Sequence, residues 1–315
     1  MSRLIRLHPP LMFTAALMVL LTGVSAAGLL LDDRVLLGVP IWIKPLKFAI
    51  SIAIYSATLA WLISLLDRRR LASAMGTVIA ATAAIEMVVI VGQVVRGRQS
   101  HFNYATTLDG VLFTLMGVSI VVLWIATAVV AVLLLRQRIG ERASAYAVRA
   151  GMLIALAGLG VGFLMTRPKP GQIDAMSNGG ERILGAHAVG VADGGPGLPL
   201  VNWSTVGGDL RIGHFIGMHA LQALPLFALV LSLLARRWGR LASEQARVRL
   251  VLTAAAGYAG LTGLVTWQAL RGQSIVHPDQ LTWTAFAGLV IVVAAGLAWA
   301  LRPAPVRSAQ WTVTV

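Results

Sequence analysis

Cysteine is missing from all 315 residues. That excludes disulfide frameworks, thiolate metal sites and haem attached through Cys-x-x-Cys-His. Charge is scarce as well: 12% of residues are Asp, Glu, Lys or Arg, against ~25% in an ordinary soluble domain. Acids are the scarcest, 12 Asp+Glu against 26 Lys+Arg, and the only lysines are Lys44, Lys47 and Lys169. Phosphate-loop, Gly-x-Ser-x-Gly, His-Glu-x-x-His and desaturase-like histidine-box motifs are all absent, so the commonest nucleotide, hydrolase and zinc-protease chemistries have no foothold. What is abundant is apolar: 57% of the chain is hydrophobic and the mean hydropathy is +0.80.

A transmembrane helix needs ~20 mostly apolar residues. Eight stretches qualify, 10–31, 45–66, 71–95, 108–135, 147–165, 212–235, 251–270 and 281–301. Barrel strands would be ~10 residues long and alternate in polarity, which these do not. The expectation is an all-α polytopic membrane protein with eight transmembrane helices. Val24-Ser25-Ala26 resembles a signal-peptidase site, but the apolar run continues through Leu31, and a retained first helix is expected.

Placing the N-terminus inside sorts the +14 net charge. Inner segments then hold 16 basic and three acidic residues, outer segments ten basic and eight acidic, with Glu86 alone within a span. This is the positive-inside bias, and it predicts both termini inside. The basic excess is scattered over short inner turns, so nucleic acid is not an expected partner; the lipid bilayer is. Arginine preferred over lysine, with abundant alanine, suggests a GC-rich bacterial source and hence the bacterial inner membrane.

The two halves resemble each other. Ser64-Leu65-Leu66-Asp67-Arg68-Arg69 echoes Ser232-Leu233-Leu234-Ala235-Arg236-Arg237. Gln93-Val94-Val95-Arg96-Gly97-Arg98-Gln99-Ser100 echoes Gln268-Ala269-Leu270-Arg271-Gly272-Gln273-Ser274, and Lys47-Phe48 falls where His214-Phe215 falls. Two parallel four-helix repeats are expected, 1–138 and 139–315, the second carrying a long outer loop over 166–211. An even number of crossings gives both copies the same orientation, and sites in such proteins lie between the copies.

Polar residues gather on the outer side. Five of the six histidines fall there (His101, His187, His214, His219 and His277), with Lys44, Lys47, Arg96, Arg98, Arg211 and Arg271. Arg211 and His214, three apart, share a helix face, as do His219 and Gln222. His214 and His219 are five apart, about 140° around a helix and about 7.5 Å along it, which is poor spacing for one metal. Pro225 interrupts the helical bonding beside His219 and Gln222, which suggests a cavity lining. Glu86 needs a partner, a proton or water at its depth. Thr106-Thr107-Leu108-Asp109 reads as a capping box.

The residues expected to contact a ligand are therefore Lys47, Glu86, Gln93, Arg96, His101, Arg211, His214, His219, Gln222, Gln268 and Arg271. Three functions fit. The first is binding or transport of a small polar or anionic solute between the halves. The second is a membrane-embedded enzyme holding haem or a divalent metal through His101, His214 and His219. The third is a noncatalytic sensor or accessory subunit. Composition and motifs leave open whether the protein is an enzyme, and they give no oligomeric state.

Overall fold

The computed structural model describes residues 7–67 and 69–302; Arg3, Arg6, Arg68 and Arg307 of the inner-face set lie outside them. The chain is a multi-pass helical membrane protein. Eight helices are long and apolar enough to cross a bilayer: α1 (Pro9–Leu31), α2 (Ile43–Ser64), α3 (Arg69–Val95), α4 (Thr107–Arg136), α5 (Arg142–Met165), α7 (Leu210–Leu234), α9 (Glu244–Leu270) and α10 (Gln280–Ala300). Two short helices, α6 (Gln172–Ser177) and α8 (Gly239–Ala242), lie in the connections. The strands are two-residue pairs: β1 (Val35–Leu36) with β2 (Val39–Pro40), and β3 (Ala188–Val189) with β4 (Gly208–Asp209). Helices dominate because hydrocarbon offers no partner to a backbone N–H or C=O, so each span must satisfy its own.

Neighbours follow one pattern in both halves. In the first, α1 packs on α2 and α3, α2 on α3, and α3 on α4; in the second, α5 packs on α7 and α9, α7 on α9, and α9 on α10. Contact between α4 and α5 joins the halves. One core cluster spans that junction, with Leu62 and Leu59 of α2, Ile79 of α3, Val130 and Leu134 of α4, Met152 of α5 and Leu221 of α7. α5 and α7 touch backbone to backbone: a Cβ on Gly158 would lie 2.5 Å from Gly217, and a Cβ on Gly217 would lie 2.5 Å from Gly158.

The turns after α3 and α9 share one construction. Gly97 and Gly272 both adopt left-handed backbone, φ 67° and 72°, where a side chain would be strained. The Gln93 side-chain amide donates to the Gln99 carbonyl, and that of Gln268 to the Ser274 carbonyl. Arg96 then reaches Asp109 at the start of α4, and Arg271 reaches Asp279 at the start of α10.

Taking the charge bias to define the outer side, α2, α4, α7 and α10 all start there. Thr106, Asp209 and Asp279 cap three of them by accepting a first-turn backbone N–H; α2, entered through Trp42, has no such bond. α7 is continuous through Pro225.

Candidate functional site

The segment over 166–209 folds back onto the outer ends of the helices. Tyr104 and Leu184 donate backbone N–H groups to the carbonyls of Arg182 and Phe102, so the residues after α3 run beside those after α6. Gly185 sits at φ 105°, and a Cβ there would press 2.6 Å from the Met165 carbonyl oxygen and 2.7 Å from the Phe102 ring. Only glycine allows this approach.

Between this segment and the helix ends lies a cavity of about 120 Å³. A buried water needs roughly 10–15 Å³ by the same measure, so the space holds several waters or a small solute. Its wall comes from both halves. Lys44, Lys47 and Phe48 enter from α2, and Arg98, Gln99 and Ser100 from the turn after α3; His187, Asp193, Asn202, Ser204 and Arg211 enter from the outer loop and α7. Lys44 is the second residue of α2 and Arg211 the second of α7.

Four cations line the cavity against one acid. Arg211 is engaged by Asp209, at 2.9 Å from Nε, and by the Asn202 carbonyl. Lys47 Nζ donates to the Val201 carbonyl at 3.0 Å. Among the described residues, Lys44, Lys47 and Arg98 have no acidic partner within ion-pair distance.

The acid, Asp193, is occupied. It accepts His187 Nδ1 at 2.6 Å, the His187 backbone N–H at 3.0 Å and the Ala188 N–H at 2.9 Å. Burial works to raise its pKa, but these donors hold it well below the usual carboxylate range. An ionised carboxylate only accepts, so Nδ1 of His187 carries the proton. Burial lowers the His187 pKa against the pull of Asp193, and burial lowers that of His101 further, with Lys44 adding to it. Both imidazoles are neutral at pH 7.

Below the cavity stands Glu86, 2% exposed. It is nine residues from the outer end of α3, about 13 Å down the helix, yet its Oε1 lies 3.5 Å from His101 Nε2. The turn after α3 therefore re-enters the bundle. His101 packs edge-on against Phe48 and lies near-parallel to His187, with centroids 6.5 Å apart. Glu86 Oε2 has no hydrogen-bond partner.

The residues named from sequence divide into two groups. Lys47, His101 and Arg211 line or adjoin the cavity, and Glu86 lies beneath it. Gln93, Arg96, Gln268 and Arg271 do not face it: their side chains form the two turns and hold the next helix through Asp109 and Asp279. His214 bonds the Gly158 carbonyl at 2.8 Å, His219 the Phe215 carbonyl of its own helix at 2.8 Å, and Gln222 bonds Thr58 at 3.1 Å. The cavity thus lies at the N-terminal end of α7, not beside Pro225. His101, His214 and His219 do not converge, and among the described residues no three His, Asp or Glu side chains gather as metal ligands would.

Sequence reasoning left out His187, Asp193, Lys44 and Arg98 as ligand contacts. Of these, Lys44 carried a usable signal, since the alignment of the halves sets it opposite Arg211. The His187–Asp193 bond depends on how the outer loop folds and leaves no periodic trace. No family model, curated protein or solved structure matches the chain.

Proposed function

We propose that this protein binds a small anionic solute in the outer cavity between two four-helix units of common origin, and that it does so in a bacterial inner membrane. The observation that carries this reading is the convergence of Lys44, Lys47, Arg98 and Arg211 on one cavity whose single acid is already hydrogen-bonded by its own donors. Like charges brought together in a poorly hydrated space repel strongly. Lys44 and Arg211 also stand in the first turns of their helices, where the macrodipole is positive and a cation is unfavourable. An anion relieves both costs at once, and the first-turn N–H groups of α2, which lack a side-chain cap, favour the same charge.

Common origin of the halves is supported by their shared neighbour pattern and by the matched Gln–Gly turns. Binding at their junction is where parallel repeats place a ligand. Haem or a divalent metal has less support, because the histidines that would hold it bond elsewhere.

The test is thermal unfolding of the purified protein in lipid nanodiscs with added sulfate, nitrate or acetate at matched ionic strength. A ligand at 100 times its Kd stabilises by about 2.7 kcal/mol. The reading expects at least one of these anions to raise the Tm, and expects Lys44→Gln and Arg98→Gln to lose the shift. If none of the three anions stabilises the wild type, the reading fails.

A further inference from the structure

Resting on the anion-binding reading, we propose that the cavity takes up its anion together with one proton, which ends on Glu86, and that Lys44 couples the two events. Lys44 is one cation with two anions in reach: it lines the cavity, and its charge acts on Glu86. On this proposal Glu86 is, in the empty protein, the carboxylate that balances Lys44. When an anion enters, Lys44 is shared, and Glu86 is left as a buried negative charge with one oxygen bonded to nothing. Such a charge is costly at this depth, and a proton removes the cost.

A route for the proton is in place. Ser100 lines the cavity, its Oγ is 3.1 Å from His101 Nδ1, and His101 Nε2 is 3.5 Å from Glu86 Oε1. An imidazole can accept a proton at one nitrogen and release another from the opposite one. The proton comes from water in the cavity: His101 receives it at Nδ1 and gives the Nε2 proton to Glu86. Its His101 carrier ends in its original charge state, so the balance is one proton from the outer solution and one neutral carboxylic acid formed.

Other charged groups near Glu86 are already committed. From the outer loop, Asp193 is held by His187; from α7, Arg211 is held by Asp209. From α4, Asp109 is held by Arg96 of α3 itself. α1 presents no titratable side chain above His8. Lys47 from α2 donates to the Val201 carbonyl and Arg98 from the turn after α3 faces the cavity, which leaves Lys44, whose charge acts on Glu86, and His101, which contacts it, to answer a change there.

The experiment follows protons directly. Sulfate, nitrate or acetate is added to wild-type protein in nanodiscs near neutral pH, where all three are ionised, in weak buffer with a pH-indicator dye. Alkalinisation of up to one proton per anion bound is expected, and by linkage the affinity rises as pH falls, up to about tenfold per pH unit. Glu86→Gln, which mimics the protonated acid, is expected to bind without proton uptake and with a flat pH profile at the wild-type low-pH affinity. His101→Gln keeps the equilibrium slope but delays the dye signal after rapid mixing. Anion binding with no proton exchange in the wild type, or a Glu86→Gln profile that keeps its slope, overturns the inference while leaving anion binding intact. No binding of any of the three anions overturns both.

Discussion

Asp109 and Asp279 stand in corresponding turns, and their surroundings set what each contributes. The Asp109 side chain is fully buried and is shared by Arg96, Gln93 and Thr106, so Asp109→Ala strands several donors at once. A loss of about 3 kcal/mol or more is expected in thermal or denaturant unfolding. The Asp279 side chain is 40% exposed to solvent, and Asp279→Ala is expected to cost far less, because exposed pairs are screened. The cap formed by Thr106 was legible in Thr106-Thr107-Leu108-Asp109, since a cap is a local motif. The engagement of Gln93 and Arg96 was not, because it needs the turn at Gly97 to bring α3 and α4 together.

Protonation at this scale has a definite sign. Burial lowers the pKa values of His8, His101 and His187 below the ordinary histidine value. The unfolded chain therefore binds protons that the folded chain refuses. Stability is full above about pH 6.5 and is lost progressively as pH falls below it. Asp193 contributes in a separate, more acid window, its stabilisation being lost as pH drops below the ordinary carboxylate value toward its own depressed one. A thermal series without added binding anions, run from neutral to mildly acid pH, should show a falling Tm, and His101→Gln with His187→Gln should flatten that fall. A Tm that rises on acidification would contradict it.

Among the elements, the α5–α7 pair is the most sensitive. Gly158 faces Gly217, and Gly213 faces Thr266 of α9. Small residues allow helices in a bilayer to approach closely where no hydrophobic driving force holds them. Gly158→Val or Gly217→Val would insert atoms into a backbone contact that cannot yield. A loss above the roughly 1–3 kcal/mol of ordinary overpacking is expected, read as poor recovery of monodisperse protein or a large drop in Tm; a wild-type Tm would refute the packing. The spans themselves were readable because apolar length is what a membrane requires. Their inner ends were not: α9 begins at Glu244 and α5 at Arg142, several residues before hydropathy marks them. Helical hydrogen bonding continues into the interface, where arginines are at no disadvantage. α6 and the β3–β4 pair were equally invisible, being products of the outer loop's packing, as was the β1–β2 pair in the turn between α1 and α2.

At the scale of the molecule, charge sorts by face, and the orientation drawn from it can be checked with reporter fusions. Fusions at Arg70 and Asp174 should report opposite sides of the membrane; agreement between them would overturn the topology. The halves resemble each other through Gln-x-x-Arg-Gly, a motif that turned out to build turns. The cavity was only half legible. Its cations could be seen to crowd the outer side, but their convergence depends on the 166–209 segment closing over α2 and α7, which no spacing along the chain reveals. The central claim is that these cations bind one small anion. Isothermal titration of sulfate, nitrate and acetate into wild-type, Lys44→Gln and Arg98→Gln protein tests it most directly. The account requires saturable heat at one site per chain for at least one anion in the wild type, with at least a tenfold weaker Kd in both variants, about 1.4 kcal/mol. No saturable heat in the wild type, or variants that bind as the wild type does, would contradict it.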